Sequence, residues 1–201
     1  MIRIRDLMLP AEQGAGALLY AAAKALPLPA SALKTLSIFR RSLDARKKPA
    51  LRWVYTVDVA LRSGEGALLR RNRDPKISRI EPYRYQIPKK TAEKRPVIVG
   101  FGPAGMFAAL TLARAGQCPL ILERGQDVDT RHKDIERFWS GGAFSPQSNV
   151  QFGEGGAGTF SDGKLTTRIS DPHMRDVLEA FVAAGAPQEI LYLHKPHIGT
   201  D

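Results

Sequence analysis

The sequence predicts a two-part α/β protein: a small basic α+β domain over residues 1–88, a charged linker over 89–95, and a parallel βαβ unit from residue 96 to 201. Three observations predict it. Residues 2–9 and 51–61 alternate apolar and polar side chains, the period of a half-buried strand. Residues 96–123 read instead as an apolar run, a glycine turn, an Ala- and Leu-rich helix and a second apolar run, the order of two parallel strands joined by a helix. Charge divides the chain as well. Residues 1–96 hold 21 Lys and Arg against 8 Asp and Glu, and residues 97–201 hold 9 against 12, so that +13 and −3 give the net +10. Such asymmetry marks two units with different surfaces.

In the first unit, Ile2 and Ile4 alternate with Arg3 and Arg5, and Pro10 ends the strand. Residues 12–26 read as a helix that Pro27-Leu28-Pro29 breaks. Ser31 starts one turn of helix from Ala32, and residues 36–43 read as a strand before the basic turn at 44–49. On the strand 51–61, Leu51, Trp53, Tyr55, Val57 and Val59 share one face. Trp53 and Tyr55 pack in the core or stack nucleic-acid bases on an open sheet; core packing is the favoured reading, because no glycine–aromatic RNA motif adjoins them. Residues 65–73 form a short helix ending before Asp74-Pro75.

In the second unit, Gly100, Gly102 and Gly105 form G-x-G-x-x-G between the strand 96–99 and a helix over 104–115 capped by Gly116. Gly100 allows a tight turn, Gly102 lets a pyrophosphate approach the backbone, and Gly105 lets the helix pack on the strand. The helix N-terminus offers N–H groups and partial positive charge to that pyrophosphate. Glu123 ends the second strand, 18 residues after Gly105, where a carboxylate meets a ribose 2′-OH. The expected fold class is thus α/β, a Rossmann-type dinucleotide-binding domain, here an incomplete βαβ plus a glycine-rich loop. A helix over 129–139 with few apolar positions, a helix from Asp171-Pro172 to about Ala184, and a strand over 189–193 follow.

The glycine-rich loop holds Gly153, Gly155, Gly156, Gly158 and Gly163 within eleven residues. That density has a large entropic cost and suits main chain laid against a ligand. Phe152, Phe160 and Leu165 distinguish it from a floppy linker. Gly158 to Lys164 also matches the start of a P-loop, but Leu165 stands where Ser or Thr would hold magnesium.

The fingerprint 100–105, the run Glu123-Arg124-Gly125, and above all Phe152-Gly-Glu-Gly-Gly-Ala-Gly-Thr-Phe-Ser-Asp-Gly-Lys-Leu165 resemble the uncharacterised FAD-dependent dehydrogenases of bacteria. The resemblance runs from Pro96 to Asp201 and is looser in the N-terminal extension. It implies an FAD-dependent oxidoreductase, with FAD as the cofactor and NAD(P) as a possible electron donor. Gly102, Pro103, Ala104 and Gly105 would then lie at the FAD pyrophosphate. Glu123 would hold the adenosine ribose, and Arg124 would line the adenine side. Gly156, Ala157, Gly158, Ser161, Asp162 and Lys164 would lie near the flavin or its ribityl chain. Members are longer and close the flavin site with a glycine–aspartate segment near their C-terminus, so this chain is expected to be the N-terminal part.

Flavins carry their own redox chemistry, and the sequence offers no nucleophile, triad or metal cluster. Asp162 and Lys164 influence a reduced flavin or serve turn and capping roles. His194 and His197 are read as a surface strand end. Cys118 is a nucleophile or, preferably, a small apolar residue beside the second strand; a single cysteine excludes an intrachain disulfide and fits the cytoplasm. No apolar run reaches the roughly 20 residues of a membrane span. The second functional reading is a nucleic-acid-binding or scaffold module built on the basic residues 1–95, with the βαβ half as a dinucleotide sensor. The small-molecule substrate is not legible.

Overall fold

The computed structural model of the chain describes residues 1–14, 16–47, 49–87, 89, 92–167, 169 and 171–198. Ala15 of the expected first helix, Pro88 at the expected domain boundary, Lys90 and Thr91 of the linker and the terminal Asp201 lie outside the described residues. Two compact units emerge, Met1–Arg84 with Thr166–Pro196, and Tyr85–Leu165 with His197–Asp201. The grouping differs from the sequence expectation, which keeps 96–201 together.

The first unit is built on β1 (Ile2–Pro10), α1 (Gly16–Ala25), β2 (Leu33–Asp44), β3 (Arg52–Leu61), α2 (Glu65–Arg71) and β4 (Ile77–Arg79). The sheet is antiparallel in the order β2-β3-β1-β4. That is the split βαβ, or ferredoxin-like, arrangement. Ile2 and Ile4 pair with Val59 and Val57 on one side and with Arg79 and Ile77 on the other. Asp6, at φ 56°, sits in a bulge between Ile4 and Leu7. One extra residue reverses the alternation. The core side therefore passes from Ile2 and Ile4 to Leu7 and Leu9. Leu18, Ala22, Ala23 and Leu26, spaced at helical intervals, cover that face together with Leu68 and Leu69 of α2.

Tyr55, Val57, Val59 and Leu61 are buried and Trp53 packs against them. The β3 face is the one the alternation predicts, and the two rings serve the core. The other face carries Arg3, whose guanidinium grips Asp58 at 2.7 and 2.8 Å and lies 3.4 Å from the Phe39 ring centre. β2 begins at Leu33, three residues before its expected start, because Leu33 pairs with Leu61. A 3-10 turn over Ala30–Ala32 replaces the expected helical turn.

The later segment of this unit holds α5 (Met174–Ala183), which starts three residues after Asp171. Asp171 spends its carboxylate on the His173 amide, 2.8 Å away. Gly185, at φ 109°, follows the helix end. The expected strand at 189–193 is instead a 3-10 turn, Gln188–Leu191, with one parallel bridge from Leu193 to Arg41. The Arg41 amide donates to the Tyr192 carbonyl at 2.7 Å, and its guanidinium pairs with Glu189 at 3.0 Å.

The second unit holds β5 (Val97–Val99), α3 (Pro103–Arg114), β6 (Leu120–Leu122) and α4 (Val128–Trp139). β5 and β6 are parallel, Val97 to Val99 opposite Leu120 to Leu122, with α3 as the crossover. Ile98 points at α3. Val97, Val99, Leu120 and Leu122 are exposed on the pair, where larger parallel sheets are covered on both faces. Cys118, expected as a small apolar residue beside the second strand, is exposed. The residues before β6 are loop, so nothing draws its side chain inward.

Candidate functional site

The site grows from the end of β5. Gly100 turns the chain at φ 93°, and its amide donates to the Leu122 carbonyl at 2.7 Å. α3 then begins with Pro103 at its first position, where a missing N–H costs nothing. A β-carbon on Gly105 would collide with the Gly100 carbonyl oxygen, so glycine there is dictated by the fold. Gly102 is different. Its φ is an ordinary −76°, and a β-carbon would meet nothing nearer than the Gly156 Cα at 3.9 Å. Packing and backbone conformation do not demand glycine at 102, which serves as the N-cap of α3.

Glu123, half-buried at the end of β6, ties the turn together. One carboxylate oxygen accepts the Phe101 amide at 2.6 Å and the other the Gly125 amide at 2.9 Å. The Gly125 amide, with those of Phe101, Arg124 and Gly153, holds this carboxyl below the usual glutamate range against the opposing effect of burial. The carboxylate is thus a structural clasp on the fingerprint turn. Arg124 is exposed, lies 3.7 Å from the Phe152 ring centre, and donates to the Pro146 carbonyl at 3.3 Å.

The two glycine clusters meet. The Gly155 amide donates to the Phe101 carbonyl at 2.9 Å. Gly156 opens a 3-10 turn, Gly156–Phe160, and a β-carbon on it would stand 3.2 Å from Gly102 Cα and 3.3 Å from Pro103 Cδ. A β-carbon on Gly125 would lie 2.5 Å from the Gly153 backbone. Gly102, Pro103, Gly156 and the first turn of α3 therefore form one backbone-lined cradle. Ala157 and Gly158 are exposed on the 3-10 turn. Beyond it, Ser161, Asp162 and Lys164 make a separate exposed turn. The Ser161 hydroxyl accepts the Gly163 amide at 3.3 Å, and Lys164 pairs with Asp162 and holds that carboxyl below its usual range. Lys164 also bridges to His197. In the first unit, His194 meets Arg40 at 2.8 Å.

Arg131 is the buried charge beside these loops that sequence reasoning misses. It is the largest fully buried side chain of the unit. α4 places it there: Asp127 caps the helix by accepting the Thr130 amide at 3.0 Å, and Arg131 and Ile135, four residues apart, share its buried face. Arg131 Nε donates to the Asn149 carbonyl at 2.9 Å, Nη2 to Val150 at 2.8 Å, and Nη1 to Glu154 at 2.6 Å. Its guanidinium lies 4.8 Å from the Phe160 ring centre. Burial pushes this group down and the Glu123 charge opposes that shift, but a guanidinium does not lose its proton in proteins.

Residues 1–60 match the family described as Domain of unknown function (DUF8436). A Clostridium beijerinckii protein described as uncharacterized is 47% identical over 203 residues, which take in 100% of this chain. The chain spans 38% of that relative's length. Among the described residues no helix is long and apolar enough to cross a membrane.

Proposed function

We propose that the second unit is a Rossmann-type element that binds FAD, and that the protein is the flavin-binding portion of an FAD-dependent oxidoreductase. Gly102 carries the reading. A β-carbon there would meet nothing nearer than the Gly156 Cα at 3.9 Å, and the residue caps the open end of a 12-residue helix. Main chain bare of a side chain at that point lets a ligand approach closely, and the first-turn amides and helix dipole favour an anion such as a pyrophosphate.

The residues present fit such a group. Gly102, Pro103, Ala104 and Gly105 would hold the pyrophosphate, with Gly100 setting the turn. Glu123 would hold the ribose, and Arg124 would flank the adenine. Gly156, Ala157 and Gly158 would lie along the flavin side, followed by Ser161, Asp162 and Lys164. FAD, when bound, supplies the electron or hydride transfer, and the chain supplies placement and electrostatics. NAD(P) as electron donor, a small-molecule substrate and a cytoplasmic setting complete the proposal.

A titration of the chain with FAD, followed by flavin fluorescence, tests it. Saturable binding that Gly102→Glu abolishes is the expected result. Equal binding by parent and variant overturns the fingerprint assignment. The basic first unit supports a second reading, nucleic-acid binding through the sheet face that carries Arg3 and Arg5. Such binding would weaken steeply with salt and survive Gly102→Glu. Tyr55 and Trp53 take no part in it, since both serve the core.

A further inference from the structure

We infer that Arg131 is a positioning residue for the dinucleotide cradle, acting through the loop 149–159 rather than on the ligand itself. The inference rests on the FAD reading of that cradle. A fully buried arginine normally meets a carboxylate. Here the guanidinium instead collects the carbonyls of Asn149, Val150 and Glu154, at 2.6 to 2.9 Å, from both sides of Gly153. Gly153, at φ 124°, lies on the arginine stem; a β-carbon there would stand 2.6 Å from Arg131 Cδ. The gathered segment leads directly into Gly155 and Gly156, which seat on Phe101 and Gly102.

The physical consequence is preorganisation. A glycine-dense loop loses much entropy on ordering. Three charge-assisted bonds from one rigid side chain meet that cost before ligand arrives. The fixed positive charge also lies behind backbone that faces an anion site, in a dry setting where it is weakly screened. Glu123 clasps the first glycine loop and Arg131 the second, and their opposite charges attract.

The test uses the full chain, with Arg131→Ala and Arg131→Lys beside the parent. Amide hydrogen exchange of the FAD-free protein is read first. Exchange at 150–158 is expected to rise at least about tenfold in both variants, with exchange in β1, β3 and α1 unchanged. FAD affinity is expected to fall about tenfold or more. Methylguanidinium at low millimolar concentration should restore loop protection and affinity to Arg131→Ala, and methylammonium should not. Unchanged exchange at 150–158, or rescue by methylammonium as well as by methylguanidinium, overturns the inference. If the parent itself binds no FAD, the reading of the cradle fails, and the exchange data still decide whether Arg131 holds the loop.

Discussion

A β-carbon on Gly156 would stand 3.2 Å from the Cα of Gly102, although 54 residues separate the two in sequence. The second glycine loop is therefore packed against the fingerprint turn.

Gly105→Ala and Gly102→Ala should part company. The first drives a methyl into the Gly100 carbonyl, and overpacking of that kind costs about 1–3 kcal/mol. The second meets only ordinary contacts and should cost at most about 1 kcal/mol, the loss expected at a helix N-cap, while weakening FAD binding at least about tenfold. Urea denaturation and FAD titration on both variants give the comparison.

Glu123→Gln should destabilise the protein at pH 7 by about 1–2 kcal/mol, because one amide group would then face a backbone N–H donor. The pH dependence has a definite sign. Glu123 is held below its usual pKa in the folded state, so its contribution is complete above the unfolded value of about 4.3 and is lost as pH falls below it. Denaturation midpoints between pH 7 and pH 3 should fall less steeply in Glu123→Gln than in the parent.

Asp58→Ala removes both acceptors of Arg3, at 2.7 and 2.8 Å, in a pair whose side chains are only 19% and 14% exposed. The cost should be about 1–3 kcal/mol, above that of a surface pair, since Arg3 is left partly buried beside Phe39. Chemical denaturation of Asp58→Ala, Arg3→Ala and the double variant should show coupling between the two sites.

Leu18→Ala and Tyr20→Ala test the orientation of α1. Leu18 is 2% exposed and Tyr20 69% exposed. Thermal and urea unfolding should place the first about 2–4 kcal/mol below the parent and the second within about 0.5 kcal/mol of it.

The alternation of β3 and the strand–glycine–helix–strand order were legible because each depends on neighbours in sequence. β4 was not, since three residues form a strand only by pairing with Ile2 and Ile4. The turn at 188–191 and its bridge to Arg41 depend on a partner some 150 positions away. Arg131 was hidden for the same reason. On a polar helix an arginine reads as solvated, and only the distant carbonyls of 149–154 reveal it as buried. The position of Glu123 after the second strand was legible, but its hold on Phe101 and Gly125 was not.

The most direct test of the FAD reading is an amide chemical-shift titration of the isotopically labelled chain with FAD. The account predicts saturating shifts at Phe101, Ala104, Gly105, Met106 and Gly155 to Gly158, with few in residues 1–84. Shifts confined to 1–84, or none at saturating FAD, would contradict it.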